Sequence, residues 1–166
     1  MDHIPIIRRC SGGGTVLQGP GCLNYAIISP IQDYPDIHAA NHGIMHRLAK
    51  ALSPLLPDIQ VRGITDLAIK QMKVSGNAQR RLKNYFLFHG TFLYQFNLAL
   101  IEKYLALPSR EPQYRNGRSH LRFIQNISAT PPDISQRLYQ EWLCQSTDPY
   151  YPKDLVSQLL HSKYTR

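Results

Sequence analysis

Acidic residues are scarce in this chain: 11 Asp and Glu stand against 19 Lys and Arg, a formal charge of +8 in 166 residues. An excess of one sign suits an anionic partner, whether ATP, an acidic protein domain or nucleic acid, and does not choose among them. Nucleic acid is disfavoured by further absences: there is no zinc-finger spacing, no clear helix-turn-helix and no long basic run. Cysteine is sparse too. Cys10, Cys22 and Cys144 are odd in number, unpatterned in spacing and without a Cys-x-x-Cys pair, which fits a reducing compartment better than a disulfide framework. No apolar run reaches the ~18 residues that would span a bilayer. The opening Met1-Asp2-His3-Ile4-Pro5 lacks the basic end and apolar stretch of a secretory signal, so the chain reads as cytoplasmic. Internal repeats and low-complexity tracts are absent. At 43% hydrophobic, the chain is long enough for one domain with a real core and short for two.

Two segments carry chemistry. Arg8-Arg9-Cys10-Ser11-Gly12-Gly13-Gly14-Thr15-Val16 pairs arginines with a glycine triplet, and Lys73-Val74-Ser75-Gly76-Asn77-Ala78-Gln79 follows further along. Glycines let a backbone adopt positive φ and approach a ligand closely, so that several N–H groups converge on an anion. Arginine adds a planar fork that grips phosphate or carboxylate oxygens in two places.

The order of these pieces resembles the lipoate-protein ligase A family of the biotin/lipoate ligase superfamily. Arg8 to Val16 is similar to the family's RRxSGGGxV loop, and Gly21, Leu23, Asn24 and Tyr25 to its G-x-L-N-Y continuation. Asp66-Leu67 resembles the acidic-apolar pair before the catalytic hairpin, Lys73 to Ala78 resembles K-[IV]-S-G-[SN]-A, and His89-Gly90-Thr91-Phe92-Leu93 resembles H-G-T-L-L. The similarity is strong over residues 4 to 94 and only a matter of pattern from 95 to 150. Cys22 stands where many members carry Asn, and Ile64-Thr65 where many carry Arg-Asn. The arginine pair arrives at residue 8, earlier than the family's leading helix and strands would allow, so the resemblance implies a single catalytic domain over 1–166, shortened at its amino end.

The resemblance implies an α+β fold, a mainly antiparallel sheet with packed helices, like the catalytic domains of biotin ligases and class II aminoacyl-tRNA synthetases. It implies a two-step reaction in which ATP and lipoate (or octanoate) give an acyl-adenylate and the acyl group passes to a lysine of a lipoyl carrier domain. The carriers would be those of 2-oxoacid dehydrogenase complexes or the glycine cleavage H protein, with no nucleic acid or membrane partner and a monomeric enzyme. Lys73 would be the catalytic residue. Arg9, Gly14, Thr15, Val16, Leu17, Lys73 and Asp66 would bind ATP, Asp66 also meeting Mg2+. Arg9, Ser11, Gly12, Gly13, Gly14, Lys73, Gly76, His89 and Gly90 would bind lipoate. Two rivals share the superfamily: an octanoyl or lipoyl transferase using Cys10 or Cys22 as an acyl carrier, and a shortened inactive relative that binds lipoate or a carrier domain.

Periodicity and turn chemistry supply the elements. Ile4 to Arg9 reads as a short strand leading into the glycines, and Leu23 to Ser29 as the next. Asp36 caps a helix whose apolar positions Ile37, Ala40, Ile44, Leu48 and Ala51 recur at helical spacing, with Pro54 and Pro57 ending it. His38, His42 and His46 form a stripe on that helix, read as a solvated face for want of a companion Glu or Cys. Ile59 to Val61, Asp66 to Ile69, a strand starting at Lys73 and Asn84 to Gln95 read as strands, the third joined tightly to the second through Lys70-Gln71-Met72. Helices are expected over Asn97 to Leu107, Ile134 to Cys144 and Asp154 to Ser162, and a mobile loop over Ser109 to Ser119, read as solvated with folding over ATP or contact with the carrier domain as the alternative.

Overall fold

The computed structural model describes residues 3–144 and 152–164. Met1 and Asp2 of the amino-terminal reading, and the stretch 145–151 that leads into the Pro152 turn, lie outside the described residues. Five strands form one sheet: β1 Cys22–Pro30, β2 Ile59–Arg62, β3 Asp66–Ile69, β4 Met72–Arg81 and β5 Tyr85–Leu93. Their order is β1-β5-β4-β3-β2, every neighbouring pair antiparallel. The helices are α1 Ile37–Leu52, α2 Leu98–Tyr104, α3 His120–Phe123, α4 Pro131–Glu141 and α5 Lys153–Leu159. The expected α+β architecture is what forms. None of these helices is long and apolar enough to cross a membrane.

Helix α1 starts where Asp36 accepts a hydrogen bond from the Ala39 amide at 2.8 Å, satisfying one of the donors that a helix start leaves open. Ala40, Ile44, Met45, Leu48 and Leu52 of α1 are buried against Leu67, Val74, Phe86, Phe88 and Phe92 of the sheet, and Ile134 of α4 joins them. Each such large side chain stabilises the fold by about 1.5–3 kcal/mol on burial, so this face of the sheet is the main core. Ile37, read as part of the apolar stripe, lies outside it at 50% exposure. His38, His42 and His46 are exposed, with the His42 and His46 rings 4.0 Å apart.

A second, smaller apolar cluster of Phe96, Ile101, Phe123 and Ile124 gathers Leu17, Cys22, Leu93 and Tyr114. Antiparallel partners point the same way and neighbours along a strand point oppositely. Cys22 and Leu93 are partners, out of step with Phe92 and Phe88 of the main core, so the second cluster lies on the other face of the sheet.

Four expectations need correction. Ile4 to Arg9 forms no strand: only Ile7 makes an isolated bridge, and residues 3–8 are exposed. Helix α2 stops at Tyr104, where Leu105 turns extended, before Pro108 is reached, whereas α4 begins earlier than expected because Thr130 caps it and Pro131 fits the first turn. The stretch 109–119 is no free loop. It holds a 3-10 turn, Gln113–Arg115, in which Arg115 is 4% exposed. Arg118 ties it down by donating to the carbonyls of Gln71, Tyr114, Arg115 and Arg122. The arginines that look like solvated charge serve here as backbone clamps.

Gly21 shows how tightly β1 meets the chain after β5. Its φ is +92°, and a Cβ there would lie 2.3 Å from backbone atoms of Gln95 and Phe96. Gly21→Ala should therefore cost about 2–4 kcal/mol, a drop in Tm of roughly 5–12 °C at this chain length, measurable by thermal denaturation.

Candidate active site

The face of the sheet opposite α1 carries the site. Arg62 pairs with Asp66, Asp66 with Gly76, Gly76 with Thr91, and Thr91 with Asn24, so one row of residues runs from β2 to β1 on a single face. Ala78, His89 and Ala26 form the adjoining row. Ser75 and Asn77 face the other way, where Asn77 meets Met45 of α1.

By simple alternation Lys73 would join Ser75 and Asn77 in the core. It does not, because the register shifts between Leu67 and Ala68: Leu67 pairs with Ser75, and Ala68 with Lys73. Val74 is the extra residue of a β-bulge, and a bulge re-aims the side chains beyond it. Lys73 thereby reaches the face of Asp66, its Nζ 2.6 Å from Asp66 Oδ1. Gly76 leaves the space for this, since a Cβ there would lie 3.2 Å from Lys73 Cε and Nζ. The Lys73 backbone is held as well, bridging to Ile124 and accepting from the Gln125 amide at 2.9 Å. Asp66 is 8% exposed, and its second oxygen accepts from the Tyr114 hydroxyl at 2.9 Å. Burial and the neighbouring carboxylate push the Tyr114 phenol up, so it stays a neutral donor.

The amino-terminal segment lies over the other end of the rows. Ser11 Oγ sits 2.6 Å from His89 Nε2, Arg80 donates to the Cys10 carbonyl at 2.9 Å, and Gln18 donates to Thr91 at 2.9 Å. Within the glycine loop Arg9 Nη2 donates to the carbonyls of Gly12 and Gly14 at 2.8 and 2.7 Å. Gly13 has φ +105°, and its missing Cβ would fall 2.6 Å from Arg9 Nη2, which is why glycine is needed there. In a trans peptide the N–H opposes the C=O, so the Gly13 and Thr15 amides point away from the guanidinium. Gly12 and Gly14 have nothing within 4 Å of where a Cβ would be, and Gly12 to Val16 are exposed. Leu17 packs into the second cluster.

His89 and Gly90 part company: strand alternation sends them to opposite faces. Gly90 lies under the sheet, where a Cβ would be 1.6 Å from Asn77 Oδ1 and 2.8 Å from the Tyr25 hydroxyl. Its bare Cα makes room for the Tyr25–Asn77 hydrogen bond, and Asn77 in turn donates to the Thr65 carbonyl just before Asp66. Sequence reading missed Arg62 and Tyr114. A signal for Arg62 existed in its spacing of four from Asp66 across a glycine turn, while Tyr114 comes from a distant segment and gave none.

Two surface concavities, about 360 and 330 Å3, lie away from these residues, one beside Pro57, Ile59 and Lys70, the other beside Ile28, Tyr34, Arg47 and Trp142. The charged motif residues Lys73 and Asp66 lie instead on the open sheet face. Among the described residues no group of three or more His, Cys, Asp and Glu is arranged to hold a metal, and Asp66 is the one carboxylate in the row. Cys22 packs in the second cluster and burial raises its thiol, which opposes thiolate formation. Cys10 offers its carbonyl to Arg80, and among the described residues no side-chain base bonds its sulfur.

A profile of the lipoyl protein ligase A/B catalytic domain matches residues 1–146. The chain belongs to that family. Lipoate-protein ligase A of Psychrobacter cryohalolentis is 27% identical to this ligase-family domain over 150 residues, 90% of the domain and 43% of the relative. The domain thus spans less than half the length of the curated relatives it matches. Among solved structures, the bipartite lipoate protein ligase of Thermoplasma acidophilum, described with its E2 lipoyl domain, superposes with a TM-score of 0.76 at 19% identity, over 95% of this chain and 67% of that one. A lipoate-protein ligase A bound with ATP gives 0.72 at 19%, over 95% and 68%. Biotin protein ligase of Aquifex aeolicus gives 0.52 at 7%, over 85% and 55%. These likenesses identify the fold as that of the lipoate and biotin ligases.

His89 provides a solution test of the loop's seat. Desolvation, and secondarily the Arg9 charge, lowers its pKa from 6.5, so the folded domain favours neutral imidazole. Below about pH 6.5 the unfolded chain takes a proton that the folded one resists. Stability is therefore full above pH 6.5 and lost as pH falls through the window beneath it. Comparing Tm at pH 7.5 and 5.5, His89→Gln should lose less on acidification than the parent, and equal losses would remove His89 from the effect.

Proposed function

We propose that this domain activates lipoate with ATP and transfers the lipoyl group to a lysine of a lipoyl carrier domain, as a lipoate-protein ligase. The observation that carries the reading is the Lys73 ammonium, held by Asp66 on the open face that the glycine loop overlies. In the first step a lipoate carboxylate oxygen attacks the α-phosphorus of ATP, the bond to the β-phosphate oxygen breaks and pyrophosphate departs. Two anions must approach, and charge concentrates between them as the transition state forms. A fixed ammonium stabilises that arrangement more than the separated reactants, and so lowers the barrier. In the second step the carrier lysine amine attacks the acyl carbon and AMP leaves.

Arg9 and the amides of the glycine loop take the carboxylate and phosphate oxygens, Arg9 exchanging its contacts with Gly12 and Gly14 for the ligand. Ser11 and His89 seat the loop and border the acyl side, while Gly76 keeps Lys73 unobstructed. Thr15, Val16 and Leu17 continue along the nucleotide. Gly90 acts from beneath, through Asn77. Were Mg2+ held at Asp66, it would have to take the oxygen that now meets Lys73, since Tyr114 holds the other, with the remaining ligands coming from phosphate oxygens and water, as is usual for this ion; when bound, the ion would offset phosphate charge. Kinship with a ligase crystallised with ATP supports the nucleotide, and kinship with one described with its E2 lipoyl domain supports the carrier. Carrier domains of 2-oxoacid dehydrogenase complexes and the glycine cleavage H protein are the acceptors to test.

Lipoate-dependent exchange of labelled pyrophosphate into ATP is the test. The parent should exchange, and Lys73→Ala should lose at least about 100-fold under conditions where circular dichroism shows it still folded. Exchange that survives the substitution would overturn the role of Lys73. Lipoate binding without any exchange in the parent would point instead to a binding protein.

A further inference from the structure

Arg62 is the unexplained cation on this face. Its Nε is buried without a hydrogen-bond partner, and no ion pair or hydrogen bond engages it among the described residues. Buried polar groups almost always find partners, and an unmet charged donor is costly. The obvious partner is adjacent, since Arg62 and Asp66 are directly paired across β2 and β3. Yet both Asp66 oxygens are committed, one to Lys73 at 2.6 Å and the other to the Tyr114 hydroxyl at 2.9 Å. Tyr114 is locked in that position. Its ring packs 5.0 Å from Phe123, it covers the β2–β3 turn at Gly63, and its carbonyl is clamped by Arg118. The local sum is two cations, Arg62 and Lys73, against one carboxylate, with a neutral hydroxyl between them.

We infer that Arg62 binds the terminal phosphates of a nucleoside triphosphate, and the pyrophosphate that departs, while Tyr114 keeps Asp66 from neutralising it. This deepens the proposed function and rests on it for the identity of the triphosphate. Position supports the assignment. Along the row the glycine loop is seated over β5, Lys73 lies on β4, and Arg62 lies on β2, two strand spacings or about 10 Å beyond Lys73. An acyl group bordered by the loop, an α-phosphate at Lys73 and outer phosphates at Arg62 follow one direction across the sheet. A guanidinium fork suits phosphate oxygens in pairs, which an ammonium does not.

The test is titration of inorganic pyrophosphate into the protein by calorimetry, with lipoate titrated in parallel. Arg62→Gln should weaken pyrophosphate binding tenfold or more and leave lipoate binding unchanged, and Arg62→Lys should recover part of the loss. Tyr114→Phe keeps the ring but frees an Asp66 oxygen to capture Arg62, so it should weaken pyrophosphate several-fold. Pyrophosphate affinity within twofold of the parent in Arg62→Gln, or no pyrophosphate binding by the parent, overturns the inference. Should Arg62→Gln fail to fold, Arg62→Lys decides, because full parental affinity there contradicts a role for the fork. The two readings fail separately. Arg62-dependent pyrophosphate binding without lipoate-dependent exchange sinks the ligase activity and leaves the phosphate site standing. Lys73-dependent exchange with Arg62-independent pyrophosphate binding does the reverse.

Discussion

Strand β4 carries one residue more than β3 beside it, and the arrangement of charge on the sheet follows from that surplus. Val74 fills the main core while its neighbour Lys73 turns to the opposite face, where Asp66 meets it at 2.6 Å. Without the bulge, alternation would drive the ammonium toward α1, among Met45 and the phenylalanines, where an unpaired charge is prohibitively costly. A bulge is therefore the cheaper way to hold a lysine on a strand whose adjacent residues are core. The hydrogen bond from Gln125 and the bridge to Ile124 then fix the lysine backbone from a segment distant in sequence.

The two faces of the sheet divide the work. Beneath, α1 and α4 cover a phenylalanine-rich surface and give the domain its rigidity. On the far face a smaller cluster around Phe96 and Phe123 leaves the rows through Gly76 and Ala78 uncovered. Several motif residues turn out to serve the first face. Asn77 and Gly90 knit β1, β4 and the end of the β2–β3 turn through Tyr25 and Thr65, which holds Asp66 where Lys73 can reach it. The glycine loop is built differently from a bare cradle of amides. Its carbonyls converge on Arg9, which turns the intervening amides outward and keeps a cation folded under the loop.

Much of the fold was legible because its signals are local. Asp36 before an apolar stripe marks a helix start through a hydrogen bond made within three residues, whereas the same kind of signal from Thr130 ahead of two prolines reads too late, at Ile134. The alternating run from Tyr85 to Leu93 encodes a strand with one buried face, and the Lys70-Gln71 turn announces a hairpin. Reading failed where distant partners decide. Ile4 to Arg9 has the composition of a strand and finds no neighbour to pair with beyond one bridge. The 109–119 stretch has the composition of a solvated loop, yet the Phe123 ring and the backbone carbonyls around Gln71 draw its arginines inward.

The amino-acid sequence by itself determined the family, the antiparallel hairpins and which residues are candidates for the site, since motif spacing and turn chemistry act over a few residues of chain. Only the tertiary structure decided which groups share a face. It separated His89 from Gly90, turned Lys73 out of the core, enlisted Tyr114 from far along the chain and left Arg62 beside a carboxylate already taken. The physical reason is that strand register, with its single bulge, sets the direction of every side chain on the sheet, and register is settled by packing across strands rather than within them.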